Sequence, residues 1–318
     1  MYLLDKVVKV DEEKDKIRSY LINEGQIQYV TTAFEKWNKQ RVNMSGTIMT
    51  NGRIMFDEHL LTSQDFQAFQ DRQSHLIEKG CTAVAVSQKV QYEREIDSDF
   101  KRAKHAMANS TLDYLVGLTL PISLLRPAVL RKCQNLRIPF VRIEIESFQQ
   151  IRSVPWTHIS QTLLTYPTVL IPVISSSVLR LEAALLKEWE NHCMDFQIHT
   201  HNPLTAMEKW EKPLLQKVGL YPLKGMMLAG SDVDYLLFYE DAGDHLYDLD
   251  QKVAHKQRIS YDKKDPAIVV IKGEIVKANE SISLKPGYGR LIEVKKPARF
   301  LSLSHFSDMM PQQQINAF

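Results

Sequence analysis

The chain has 318 residues, 44% hydrophobic and 25% charged, enough to bury a large core and to build one to three domains. Its formal net charge of +2 leaves no electrostatic footprint for nucleic acid, and no uninterrupted apolar run approaches the roughly 18 residues that a bilayer span requires. Three cysteines, Cys81, Cys133 and Cys193, lie far apart without metal-binding spacing. Their odd number, with no signal peptide at Met1–Lys6, points to a reducing cytoplasm.

Residues 1 to about 51 read as short strands joined by charged turns. The strands are Tyr2–Val10, Arg18–Ile22, Gln26–Val30 and Gly46–Thr50, and Asp11–Asp15 and Glu24-Gly25 supply turns. From about 52 to 219, buried strands alternate with amphipathic helices, the signature of βα units and parallel pairing. Five strands are predicted at Ile54–Asp57, Thr82–Ser87, Leu112–Leu118, Phe140–Ile145 and Val169–Ser175, with a weaker sixth at Asp195–His199. Ser63 opens a helix that turns Phe66, Phe69 and Leu76 to the core and stops at Gly80. Another helix, Ser176–His192, carries Leu179, Leu186 and Trp189 on one side, and Ser175-Ser176-Ser177 reads as its N-cap cluster. After 225 the chain returns to short strands at Tyr235–Tyr239, Ala267–Ile271, Glu274–Val276 and Arg290–Val294. Ile271-Lys-Gly-Glu-Ile275 reads as a two-residue hairpin, and the basic run Glu293–Arg299 as a solvated turn. The expected fold is α/β. Residues 52–225 read as βα units, with short strands before them in 1–51 and after them in 226–318.

Two segments resemble a known family. In Arg41–Leu60, Gly52, Ile54 and His59 match a turn and first barrel strand reading Pro-Gly-(Phe/Leu)-Ile-Asp-x-His-x-His. Asn51, Met55 and Asp57 stand at the proline, the aspartate and the first histidine. Asn202-Pro203, Gly219-Leu-Tyr-Pro-Leu-Lys-Gly225 and Met226–Tyr239 match the exit from the barrel, which reads Asn-Pro-Ala, Gly-Leu-x-Pro-x-Lys-Gly and Gly-x-Asp-Ala-Asp. Weaker echoes lie at Gly80–Val86 and Asp113–Leu118. On these motifs the chain resembles the amidohydrolase superfamily, in particular its dihydroorotase and hydantoinase branch. The resemblance implies a metal-dependent hydrolase and a barrel with a small β-domain, here expected as an incomplete TIM-like (β/α) barrel over 52–225 flanked by one composite β-sandwich domain from 1–51 and 226–318. Its metal ligands would be two histidines of strand one, a carboxylated lysine of strand four, one histidine each from strands five and six, and an aspartate of strand eight.

Against that pattern the site is depleted. Side chains two apart on a strand share a face, so Asp57 and His59 keep the geometry of the first pair with a carboxylate replacing an imidazole. Strand four, Phe140–Ser147, has no lysine. Glu144 or Glu146 would supply a carboxylate there, or else join Arg142 in an ion-paired patch at the mouth, since unpaired inward carboxylates are costly. Strand five ends in serines, and the only later histidine pair is His199-Thr-His201. At least three ligand positions are lost. No Gly-rich phosphate loop or nucleophile elbow is present.

The reading is therefore an amidohydrolase-like protein that has lost its metal centre, takes no cofactor, and serves in binding, assembly or regulation. The alternative is a hydrolase of a cyclic amide or related C–N bond, of dihydroorotase, hydantoinase or deaminase type. It would use zinc or another divalent metal in a rearranged site drawn from Asp57, His59, Glu144, Glu146, His199 and His201. The middle zone also holds too few residues, about 168, for a full barrel that needs roughly 200 or more. Bare strand edges are not left in water, so a homodimer covering the open side is expected. Its interface would lie within Val169–Leu220, with Leu181, Leu185 and Trp189 as the stripe and Trp189 as anchor. A further protein partner is compatible with this reading; nucleic acid and membrane are not expected.

Overall fold

The computed structural model describes residues 1–10, 16–34, 36–174, 178–239 and 261–301. Five strands, β6 (Arg53–Phe56), β7 (Cys81–Lys89), β8 (Asp113–Pro121), β9 (Phe140–Ile145) and β10 (Val169–Ile174), form a parallel sheet in sequential order. Helices α1 (Phe66–Glu78), α2 (Ile96–Ala106), α3 (Pro127–Asn135), α4 (Phe148–Arg152), α5 (Trp156–Leu163) and α6 (Leu179–Asp195) connect and follow them. Strand residues of one parity, such as Val84, Val116, Val141 and Leu170, pack with Leu76, Phe100, Leu130 and Leu185 of these helices. Residues of the other parity, Ile54, Phe56, Ala83, Ala85, Leu115, Phe140, Val169 and Ile171, bury Trp210 and helix α7 (Lys212–Val218) through Leu214, Leu215 and Val218. The near-continuous apolar strands follow from this two-sided covering.

The two free edges of the sheet are bridged within the chain. Leu170 N–H donates to the His199 carbonyl at 2.9 Å, and Thr200 forms a parallel bridge with Leu170 on the β10 edge. A few residues later Met207 N–H donates to the Phe56 carbonyl at 2.9 Å and Trp210 N–H to Ile54 at 2.8 Å, on the β6 edge. The predicted sixth strand at Asp195–His199 is thus the end of α6 followed by a single bridge. The edges that argued for a covering second copy are occupied in cis.

The chain ends make a separate, mainly antiparallel sheet. Strands β1 (Tyr2–Lys9), β2 (Lys16–Asn23), β3 (Gln26–Thr31), β4 (Arg41–Asn43), β5 (Thr47–Asn51), β11 (Tyr235–Tyr239), β12 (Ile268–Ile271), β13 (Glu274–Ala278) and β14 (Ser281–Ile282) join in the order β14-β13-β12-β11-β5-β1-β2-β3, with β4 on β1. The joint between the two ends is the pairing of β5 with β11, from Tyr235–Asn51 to Tyr239–Thr47. One face buries Leu4, Tyr20, Ile22, Ile27, Met49, Tyr235, Leu237 and Val270 together. The other face, through Ile48, Leu236, Phe238 and Val269, joins the helix side of the parallel layer. Gly52 passes the chain from one sheet to the other, and a Cβ there would run into the Thr82 side chain.

Where the sheets meet, charge is buried. Lys224, only 1% exposed, places Nζ 2.6 Å from Asp113, 2.8 Å from Asp232 and 2.7 Å from Asp234. Lys272 adds 2.8 Å to Asp113 and donates its backbone N–H to Asp234, also at 2.8 Å. Burial alone would lower Lys224, but the surrounding carboxylates outweigh it and raise its pKa. Burial would likewise raise Asp113, yet Lys224 and Lys272 together hold it below the usual carboxylate range.

Several predicted details differ. The α1 N-cap is Asp65, whose carboxylate accepts from Ala68 N–H at 2.7 Å, so Ser63 lies outside the helix and Phe66 in its first turn is exposed. Arg290–Val294 is not a strand. It makes a bridge at Leu291 with Tyr114, with Arg290 and Ile292 sharing the Tyr114 backbone bonds. Trp189 is fully buried, edge-on to Trp156 at 5.3 Å, with Nε1 donating to Thr200 Oγ1 at 2.9 Å. It is a core residue and not a surface anchor, as is Leu185, while Leu179 in the first turn of α6 is 81% exposed. Asp11–Asp15 and the serine cluster 175–177 lie outside the described residues.

Candidate functional site

In parallel β/α folds the reactive face is the one formed by the C-terminal strand ends. Here β6 ends at Phe56 and runs into Asp57, Glu58 and His59. Asp57 is fully buried. Its Oδ1 accepts from His59 N–H at 2.8 Å and Leu60 N–H at 2.9 Å, capping the 3-10 turn Leu60–Thr62. Its Oδ2 takes Arg72 of α1, Nε at 2.7 Å and Nη2 at 2.6 Å. Both oxygens are thus engaged by the chain itself. The His59 side chain is 62% exposed and 3.8 Å from Glu58.

The concave face at this end carries a row of polar residues. Register places Lys89 on β7 beside Thr119 on β8, and Thr119 beside Arg142 on β9. Ser87 Oγ and Thr119 Oγ1 share a 2.7 Å hydrogen bond. Lys89 Nζ pairs with Glu144 at 2.6 Å. Arg142 lies with its guanidinium carbon 4.6 Å over the Phe56 ring, and Nη1 reaches Glu58 at 3.5 Å. Burial lowers the Arg142 pKa, against the pull of Glu58 and Glu144. Glu146, just beyond β9, accepts from Gln150 Nε2 at 3.3 Å and donates its N–H to Gln150 Oε1 at 2.9 Å.

His199 and His201 stand on the stretch that crosses from β10 to β6. The His201 Nδ1 meets the Asn202 carbonyl at 2.9 Å, in a cleft lined by Glu190, Asn191, Met194 and Lys217 between α6 and α7. Burial pushes the His201 pKa below its ordinary value. Of the six predicted ligands, Glu144 shares the mouth with Glu58 and Arg142, and Asp57 and His59 flank it. His201 lies in its own cleft. Among the described residues no group of three His, Cys, Asp or Glu side chains converges as a metal-binding set.

Sequence reasoning missed Arg72, Lys89 and Thr119. Arg72 had one faint signal, a basic residue on the helix that follows the strand bearing Asp57. Lys89 and Thr119 required the register between β7, β8 and β9, which no local pattern carries. Trp210 was also missed. Its indole packs edge-on against Phe140 at 5.7 Å and fills the concave side of the sheet.

No family model and no curated protein matches the sequence. Solved structures do match it. A D-hydantoinase superposes with a TM-score of 0.65 at 10% identity, over 93% of this chain and 99% of that one. A dihydropyrimidinase from Brevibacillus agri NCHU1002 gives 0.65 at 10% identity, over 94% and 99%. A triazine hydrolase variant gives 0.51 at 11%, over 89% and 96%. The chain has a hydantoinase-like fold. At such identities the likeness speaks for the fold alone, and agrees with the parallel sheet and separate β-sheet described above. In the hydantoinase-like fold of this chain, the mouth is the face where the charged row lies.

Proposed function

We propose that this protein is a hydantoinase-like protein without a metal centre, whose body serves binding, assembly or regulation. The observation that carries the reading is Asp57. A carboxylate whose oxygens already hold two backbone N–H groups and an arginine has no lone pair aimed outward for a cation. Supporting it, Glu144 is taken by Lys89 and His59 is turned to solvent. The donor set therefore does not fit a divalent ion. The pairing of β5 with β11 supports treating 1–51 and 226–318 as one domain beside 52–225. No helix among the described residues is long and apolar enough to cross a membrane. We place the protein in the cytoplasm, on its free buried cysteines. A homodimer remains part of the proposal, resting now on the exposed Val178, Leu179 and Leu181 at the start of α6 and no longer on open strand edges.

The rival reading is hydrolysis of a cyclic amide with zinc held by Asp57 and His59, favoured by their place at the end of the first barrel strand. Elemental analysis of protein purified without added metal decides, alongside assays of hydantoin and dihydropyrimidine ring opening. The expected result is no stoichiometric metal and no turnover. Near one equivalent of zinc, lost in His59→Ala together with ring opening, would establish the hydrolase instead.

A further inference from the structure

Arg142 is a cation held with too few acceptors. Its side chain is 11% exposed, and a guanidinium offers five N–H donors. Its contacts are Glu58 at 3.5 Å, the limit of a hydrogen bond, and the face of Phe56. Its Nε is buried and has no hydrogen-bond partner among the described residues. Burying a guanidinium costs several kcal/mol unless its donors are used. A second buried donor on this concave side also has no hydrogen-bond partner among the described residues. It is the indole Nε1 of Trp210, whose ring packs on Phe140, two residues before Arg142 on the same strand face. Apart from Glu58, and Glu144 which is paired with Lys89, the polar neighbours of Arg142 across β8 and β7 are donors. Thr119 is its register partner, positioned by Ser87, and Lys89 is the register partner of Thr119. Adjacent strands lie about 4.8 Å apart, so a cation, a hydroxyl and a second cation stand side by side.

We propose that the mouth of the half-barrel binds a small oxyanion, with Arg142 as its main donor and Thr119 and Lys89 beside it. Glu58 is the internal carboxylate that the ligand displaces. The Glu58 side chain is 46% exposed and its bond to Arg142 is long, so it leaves at small cost. Glu144, at 2.6 Å from Lys89, stays. The planar fork of arginine suits either a carboxylate or a phosphate, since both accept two parallel hydrogen bonds. When Ser87 donates to Thr119, the threonine hydroxyl is left to donate to the ligand. The inference deepens the reading of a metal-free binding protein and rests on it, because a metal at the mouth would change both charge and ligand.

The test is calorimetric titration of the full chain with inorganic phosphate and, separately, succinate, with metal content measured on the same samples. Saturable binding of at least one anion is expected, and which one binds separates phosphate from carboxylate ligands. Arg142→Met should weaken it about tenfold or more, the worth of a charge-assisted hydrogen bond. Arg142→Lys, which keeps the charge but loses the fork, should weaken it as well and serves if the Met variant does not fold. Glu58→Gln should tighten binding, because it removes the competitor. Metal-free protein that binds neither anion overturns this inference and leaves the metal-free reading intact. Unchanged affinity in a folded Arg142 variant, or Glu58→Gln weakening it, also overturns it. Bound metal counts against the reading beneath it.

Discussion

Replacing Lys224 by methionine should be among the most damaging single changes outside the apolar core. The ammonium lies 2.6–2.8 Å from three carboxylates and is almost fully enclosed. Methionine replaces the aliphatic stem and lacks only the ammonium, so most of the volume stays filled and the effect is chiefly electrostatic. Asp232 retains some exposure and can turn to water, and Asp113 keeps Lys272 and the Arg290 N–H at 2.8 Å. Among the described residues, the Asp234 carboxylate keeps only the Lys272 N–H. Breaking a buried pair by removing one partner costs roughly 3–5 kcal/mol, and the remaining donors place this case toward the lower end. The pH dependence gives an independent check. A raised lysine pKa contributes stability that is present below the unfolded value of about 10.4 and is lost as pH rises through the folded value. Wild type should therefore hold its stability through neutral pH and weaken in strong alkali. In the methionine variant Asp234 has lost its cation, and protonation relieves it. Its deficit should shrink as pH falls from 7 toward 5. Urea unfolding of both proteins across that range is the assay. A difference below about 1 kcal/mol at pH 7, or one that grows on acidification, would refute the account of this joint.

Asp57→Ala should cost about 3–5 kcal/mol, because it strands the Arg72 guanidinium and two N–H groups, while leaving metal content unchanged; a stable variant would show that the capping role is wrong. Gly117→Ala should cost about 1–3 kcal/mol, since its Cβ would run into the Phe140 ring that packs on Trp210, and an unchanged denaturation midpoint would count against it. Deleting residues 1–50 removes β5 from β11 and should leave the segment after 225 protease-sensitive, whereas a protected segment would separate the two ends of the chain. Leu179→Glu should convert a homodimer to a species near 36.7 kDa by sedimentation without loss of folding, and a wild type already at that mass would end the dimer proposal.

The sequence made the parallel strands legible because a strand covered on both faces reads as an unbroken apolar run, as in Cys81–Val86 and Val169–Ile174. The motif Gly219–Gly225 with Gly230–Asp234 was legible for a different reason. Lys224, Asp232 and Asp234 belong to the joint between sheets, so the segment that most resembles a hydrolase reports how the halves are fastened. It is silent on chemistry. The stretch from Ile198 to Trp210 was not legible as an edge cover. It bonds through isolated backbone groups, which leave no period in the side chains. Helix α7 was hidden likewise: Leu214, Leu215 and Val218 predict a buried helix without saying which side of a sheet it lies on. Trp189 misled in the opposite direction. A tryptophan on an amphipathic helix suits an interface or a core, and only its partners Trp156 and Thr200 decide.

The interior of the half-barrel explains why the mouth is polar and the floor is not. Ala83, Ala85 and Gly117 are the small residues of the concave face, and they stand where Trp210, Phe140 and the leucines of α7 need room. Large side chains pack against small ones there, as in the interior of a core. One layer higher the strands present Lys89, Thr119, Arg142 and Glu144, and α7 no longer supplies apolar cover. A site in this fold therefore lies in a shallow charged layer above a packed floor. That geometry suits recognition of a small charged group by side chains from neighbouring strands.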